Sequence, residues 1–197
     1  AIAGGDNTGS ITKGFSGGAG TGTLVLNGVN TYTGQTAVAV GTLSYDSIGN
    51  VNGGASALGN PANAALGTLK IGSSVGATLK YTGTGHTTDR VINLAGASLS
   101  GSATNEASGS GPIIFTSGVI STGNGIKVFE LAGTNTGDNT ISGSIGEFSA
   151  SKYTRVEKID SGTWVLTGLN TFSGVCDIRS GTVIVNSLAN KGTASSL

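Results

Sequence analysis

The stretch TLVLNGVNTYTGQTAVAVGTL at residues 23–43 returns as TWVLTGLNTFSGVCDIRSGTV at residues 163–183, without a gap, at an offset of 140 residues. Gly28, Asn30, Gly34 and Gly41 recur as Gly168, Asn170, Gly174 and Gly181. The differences keep their chemistry: Tyr32 becomes Phe172, Val38 becomes Ile178 and Leu43 becomes Val183. Side chains alternate faces along a strand, so unchanged parity of the apolar positions means an unchanged backbone. A chain that writes one backbone phrase twice builds by repetition. On parity, Leu26 and Leu166, like Val38 and Ile178, are expected to enter one interior column.

Composition restricts the backbone further. Only 10% of the 197 residues are charged and 36 are glycine, while Val, Ile and Thr abound. Disorder requires high charge and few β-branched residues, and no run carries helical period with caps. No apolar run approaches the roughly 18 residues of a membrane helix. Twelve short β-branched segments, from residues 23–26 to 182–185, stand between Asn-Gly, Thr-Gly, Ser-Gly and Gly-Asp-Asn turns. Phrases such as VINLAGASLSGSA and VFELAGTNTGDNTISGSI recur at about the length of one coil of a parallel β-helix. The reading is all-β: one parallel β-solenoid over residues 1–197, with repeat units near 22–58 and 162–197 and spacer coils at 59–161. At ~4.8 Å per coil, about eight coils would reach roughly 40 Å. Asn30 and Asn170 are expected to sit in left-handed turns or to ladder through their side-chain amides.

The pattern G-T-L-x-L-x-G-x-N-T-Y-x-G followed by G-T-L, at residues 22–45 and again at 162–185, resembles the autotransporter-associated β-strand repeat. The middle of the chain is similar to the spacers between such repeats in tandem arrays. Trp164 in place of Leu24, and Cys176 and Asp177 within the usual Thr/Val stretch, depart from the pattern. The resemblance implies a right-handed parallel β-helix at the bacterial cell surface or outside it. It supplies no catalytic residues.

Chemistry in the side chains is sparse. Ten basic residues balance ten acidic ones, and no basic cluster interleaved with aromatics offers a nucleic-acid face. The densest polar group is GHTTDR, with His86, Asp89 and Arg90; a nucleophile and an oxyanion site are missing, so it reads as a turn with Asp89 accepting backbone hydrogen bonds and Arg90 opening a strand. A polysaccharide-active β-helix needs paired carboxylates with a nearby cation on one exposed face. The acids are scattered in sequence; Glu157, Lys158 and Asp160 come nearest, and alternation puts Glu157 and Lys158 on opposite faces as a solvated and an edge charge. GGDNTG at Asp6 and TGDNT at Asp138 offer calcium turns without a nonapeptide or EF-hand pattern. Cys176, the single cysteine, reads as a small buried or semi-buried filler and not a nucleophile. No catalytic, cofactor or metal residue is assigned.

The function expected is a structural module of a bacterial surface or extracellular protein: a stalk, fibre or coat. An adhesin passenger binding a host or neighbouring-cell ligand, often glycan, is the alternative, and a polysaccharide-active enzyme stands third. Aromatics lie mostly inside alternating strands, which favours the structural reading. With no methionine, residue 1 is not a translation start. Both ends match interior stretches of the sister copy: AIAGG resembles TISGS at Thr140, and Ser56 and Leu58 match Ser195 and Leu197 after one deleted position. The sequence is therefore expected to be a window on a longer tandem array of period near 140, or else to associate end to end.

Overall fold

Runs of three to six residues, most of them stopped by a glycine turn, are too short to bury a face alone and fold by stacking. The computed structural model describes residues 9–14, 20–73, 75–96, 102–188 and 195–197. Strands β1 (Ile11–Lys13) and β2 (Thr23–Leu26) open the stack, and β3 (Thr36–Val38) and β4 (Gly41–Tyr45) lie over them. A long connection with one helical turn, α1 (Ala64–Gly67), leads to β5 (Leu69–Ile71), β6 (Ala77–Tyr81) and β7 (Thr84–Thr88). The next two coils are β8 (Ile92–Leu94), β9 (Ser102–Ala107), β10 (Gly111–Phe115) and β11 (Val119–Ser121), β12 (Lys127–Ala132), β13 (Asn139–Ile141). Strands β14 (Thr154–Lys158), β15 (Thr163–Leu166), β16 (Cys176–Ile178) and β17 (Thr182–Val185) complete them.

Three parallel sheets form the sides of the solenoid. The first is β1-β3-β5-β8-β11, the second β2-β4-β6-β9-β12-β14-β16, and the third β7-β10-β13-β15-β17. From β5 to β13 the chain visits them in the order first, second, third; β1–β4 use the first and second and β14–β17 the second and third, and the strand ladders are parallel throughout. This is a parallel β-helix. Its seven-stranded side marks seven coils, spanning about 30 Å at ~4.8 Å per step. That is one coil fewer than expected, because the connection around α1 lengthens the second coil without adding a turn: Thr42 pairs directly with Thr78.

Inward side chains form columns. On the second side Leu24, Leu43, Leu79, Asn105, Leu131, Lys158 and Ile178 stack in register. On the third, Thr88, Phe115, Ile141, Leu166 and Val185 do the same. Trp164 is fully buried and donates its Nε1–H to the Ala132 carbonyl at 3.0 Å, so the indole that replaces Leu24 fits the column with its polar atom satisfied. Each buried Leu or Ile contributes about 1.5–3 kcal/mol, enough repeated units to hold a fold that has one cysteine, Cys176, half-buried against the core.

Both repeat copies have one internal geometry. Strand β2 pairs with β4 as β15 pairs with β17, with Thr23 opposite Thr42 and Thr163 opposite Thr182. Asn30 donates Nδ2 to the Ala57 carbonyl at 2.9 Å, and Asn170 donates Nδ2 to that of Ser196 at 2.7 Å. Neither is among the described non-glycine residues with positive φ, which are Asn52 and Asp160; each amide instead holds a main-chain carbonyl, 27 residues on from Asn30 and 26 from Asn170.

The copies nevertheless occupy different sides. Leu26 lies on the second sheet and Leu166 on the third, both buried; Val38 lies on the first, 2% exposed, and Ile178 on the second, 49% exposed. The single shared column expected from parity is thus corrected: 140 residues carry the chain through five turns plus one side, so parity holds while azimuth does not. Ile178 keeps inward parity, opposite the buried Lys158, but stands in the edge strand.

Asn105 interrupts the leucine column. It is fully buried between Leu79 and Leu131, and among the described residues neither amide atom has a hydrogen-bond partner. An unpaired buried amide costs about 1–3 kcal/mol. Asn105→Leu is expected to raise Tm by roughly 2–12 °C, measured by thermal melting; a fall would mean the amide is satisfied in solution.

Candidate binding surface

The outward column of the second sheet is Thr23, Thr42, Thr78, Thr104, Glu130, Glu157 and Asp177. Acids separated by one coil in sequence are adjacent in space, at the ~4.8 Å strand spacing. Stacked carboxylates repel unless cations intervene. Here they do: Arg155 Nη2 lies 3.4 Å from Glu157 Oε1, and Arg179 Nη2 lies 3.1 Å from Glu157 Oε2. Arg179 Nε also donates to Asp177 Oδ2 at 2.8 Å, and these contacts, first the Asp177 hydrogen bond and then the Glu157 charge, hold its guanidinium above the ordinary arginine value. Thr104 Oγ1 donates to Glu130 Oε2 at 2.5 Å, and Lys80 Nζ meets Glu106 Oε1 at 2.6 Å in the neighbouring column. The face is a row of hydroxyls and carboxylates at regular intervals, with two guanidiniums set against its last two acids.

The solvated and edge roles expected for Glu157 and Lys158 need correction. They do lie on opposite faces, but both are buried, at 5% and 0% exposure. Lys158 turns inward and donates Nζ to the carbonyls of Ile159, Asp160 and Ser180 at 2.5, 2.7 and 3.3 Å. Burial lowers its pKa and the nearby Asp160 opposes that. Lys13 caps Gly20 and Val40 carbonyls in the first copy, each at 3.0 Å. The lysine cap therefore belongs to both copies, although its spacing from the repeat differs and the gapless alignment misses it.

GHTTDR is a structural staple. His86 Nδ1 lies 2.7 Å from the Tyr81 hydroxyl, and that oxygen accepts the Gly85 N–H at 2.7 Å. Asp89 Oδ1 accepts from Val51 N at 2.8 Å, as the turn reading expects. Arg90 precedes β8 but is 1% exposed, and reaches the Gly67 and Leu58 carbonyls, each at 2.7 Å. Burial lowers its pKa to about 10, which leaves it charged at neutral pH. Thr88 donates to the Gly49 carbonyl at 2.9 Å, so Thr88, Asp89 and Arg90 together fasten the long connection around α1.

Asp6 lies outside the described residues. Asp138 is exposed, with its carbonyl accepting from Thr140 Oγ1. Among the described residues no three His, Cys, Asp or Glu side chains converge to hold a metal ion. Burial, followed by Asp177, pushes the Cys176 thiol above its ordinary pKa. No described helix is long and apolar enough to cross a membrane. Phe148, 46% exposed, is the large exposed aromatic among the described residues, with Lys152 Nζ 5.7 Å from its ring centre. The grouping of Glu130, Glu157 and Asp177 with two arginines was invisible to a search for acids close in sequence; aligning the chain by coil length would have found it.

Residues 19–44 and 156–185 match the family model of the passenger-associated-transport repeat. Over 158 residues, 79% of the chain, the sequence is 44% identical to the adhesin BmaC autotransporter of Brucella suis biovar 1 (strain 1330). The chain spans 4% of that relative's length. No solved structure matches.

Proposed function

Because this chain is built on two passenger-associated-transport repeats of the autotransporter kind, with its place at the bacterial cell surface or outside the cell, we propose that it forms a length of shaft in a surface passenger. Its task is reach and rigidity: each coil adds ~4.8 Å. The observation that carries the reading is the distribution of side chains. Tyr32, Tyr45, Tyr81, Phe115, Phe129 and Trp164 are buried, and on the second side Lys80, Glu106, Arg155, Glu157, Asp177 and Arg179 are ion-paired, which leaves that side without the aromatic platform a sugar ring stacks on. The shaft lengthens by covalent continuation as a tandem array of period near 140, with units 22–58 and 162–197 joined by coils 59–161, or by end-to-end association. The shaft reading includes no enzymatic role, which is supported on the acidic ladder, where each carboxylate already accepts from a hydroxyl or guanidinium and no uncommitted acid–base pair stands.

A second reading, an adhesive face, is favoured by the Thr-Glu-Asp row itself, whose regular acceptors suit a hydroxyl-rich glycan, and by the relative's name as an adhesin. Immobilised chain tested against host cells and glycans separates the two. A shaft gives no saturable binding, and Glu157→Gln with Arg179→Ala changes nothing. Saturable binding that this double variant abolishes establishes the adhesive face instead. Release of reducing sugar from pectin-like or glucan polymers would overturn both.

A further inference from the structure

The chain holds three Asn-Gly pairs, beginning at Asn27, Asn52 and Asn124. Among the described residues only Asn124 of the three takes a hydrogen bond from an amine: Lys152, 28 residues further on, donates Nζ to Asn124 Oδ1. Coil stacking brings the two together. Strand β14 lies on β12 with Thr154 opposite Lys127, and the Lys127 N–H donates to the Tyr153 carbonyl at 3.0 Å. Lys152, the residue before, is fixed in a tight turn by its own N–H, which donates to the Ser149 carbonyl at 2.8 Å. Its side chain therefore starts from one coil and ends on the exposed Asn124 of the neighbouring one, across the ~4.8 Å strand spacing. Phe148 flanks the amine, with its ring centre 5.7 Å from Nζ. Lys127 brings a second ammonium to the same place, donating Nζ to the Gly125 carbonyl at 2.7 Å, and burial, then the Lys152 charge, lower its pKa. The Gly125 N–H is held by the Gly123 carbonyl at 3.0 Å, a local turn contact outside any strand ladder. By contrast the Gly28 N–H, after Asn27, points at both oxygens of the Asp46 carboxylate.

We propose that Asn124 and Lys152 are a modification site, joined by an isopeptide bond that ties two neighbouring coils covalently. In an Asn-Gly pair the next backbone nitrogen reaches the side-chain amide readily, because glycine has no Cβ in the way. Gly125 N attacks Asn124 Cγ and gives up its proton, the side-chain nitrogen leaves as ammonia, and a succinimide ring closes. Nearby cations favour the amide anion that attacks, and two ammonium groups stand beside this peptide. The unprotonated Lys152 amine then adds to the Cγ carbonyl of the ring. The bond from Cγ to Gly125 N breaks, that nitrogen takes a proton from the lysine nitrogen, and an amide between Cγ and Nζ remains. In total one amide and one amine become one amide and ammonia, with no oxidant or co-reactant. The hydrogen bond to Oδ1 already holds Nζ beside Cγ, so capture by the lysine is intramolecular and outruns water. Direct attack on the unactivated amide would need a carboxyl group to carry the proton. Among the described residues none is hydrogen-bonded to either side chain, and Glu147 is held by Ser173.

The test is the intact mass of the folded chain after incubation in mildly alkaline buffer. A loss of about 17 Da, one ammonia, is expected, and tandem mass spectrometry of the digest should find one branched peptide joining Asn124 to Lys152. Lys152→Arg keeps the charge and a donor to Oδ1 but removes the amine; in it the branched peptide is expected to vanish and Asn124 to gain about 1 Da by hydrolysis of the ring. Asn124→Ala, which has no side-chain amide, is expected to keep its full mass. A loss of about 17 Da that brief base treatment turns into a gain of about 1 Da is a succinimide only, and it overturns the crosslink. So does the same loss persisting in Lys152→Arg, or a chain in which Asn124 stays intact or is merely deamidated after prolonged incubation. The crosslink serves a shaft and an adhesive face alike, so the cell-binding assay and the mass measurement fail separately.

Discussion

Replacing Arg90 with methionine is expected to destabilise the chain by about 3–5 kcal/mol and to lower Tm by roughly 6–20 °C. The guanidinium is 1% exposed and donates to Gly67 and Leu58 carbonyls at 2.7 Å each, with the Thr36 hydroxyl at 3.5 Å. Methionine keeps most of the side-chain volume but removes every donor, so two buried carbonyls lose their partners at once. Hydrogen exchange should locate the loss in residues 46–68, the connection that Arg90 fastens, with the C-terminal coils less affected because a solenoid couples chiefly neighbour to neighbour. A change in stability below ~1 kcal/mol would show that the clamp is idle.

Gly41→Ala is expected to cost more than about 3 kcal/mol. Gly41 has φ +74°, and a Cβ there would stand 2.5 Å from the Gly20 carbonyl oxygen and 2.6 Å from that of Gly22. Backbone at that distance cannot give way without parting β2 from β4, which meet at Thr23 and Thr42. Gly28 provides the control: it has the same φ of +74° but nothing within 4 Å of a Cβ, so Gly28→Ala carries only the left-handed backbone term, about 1–2 kcal/mol. Equal melting of the two variants would refute the steric account. Gly181, the counterpart of Gly41, has φ +72°, and a Cβ there would stand 2.4 and 2.5 Å from the Asp160 and Gly162 carbonyl oxygens. Its substitution should perturb the last coil more than the whole, since β17 is an edge strand among the described residues.

Segments with strong alternation and β-branched residues, such as those at β6, β12 and β15, were legible because both signals arise within a few residues. Strands β7 (TGHTT) and β9 (SATNEA) carry little of either. They are strands because their neighbours, β6 and β12 about β9 and β10 beside β7, supply hydrogen bonds that propensity does not. The same cause hid the acidic ladder, whose members are joined only by coil stacking.

The sequence by itself determined that the chain is a stack of short parallel strands, that Thr23 and Thr163 begin the same unit, and that Asn30 and Asn170 do the same work in it, because parity, turn chemistry and an internal repeat are local properties. Tertiary structure alone decided azimuth. The lengths of the turns and of the connection around α1 set how far the chain rotates per residue, and that sum places the second copy one side further round the solenoid. From azimuth follow the exposure of Ile178, the meeting of Glu130, Glu157 and Asp177, and the reach of Arg90 across coils, none of which any short window of residues contains.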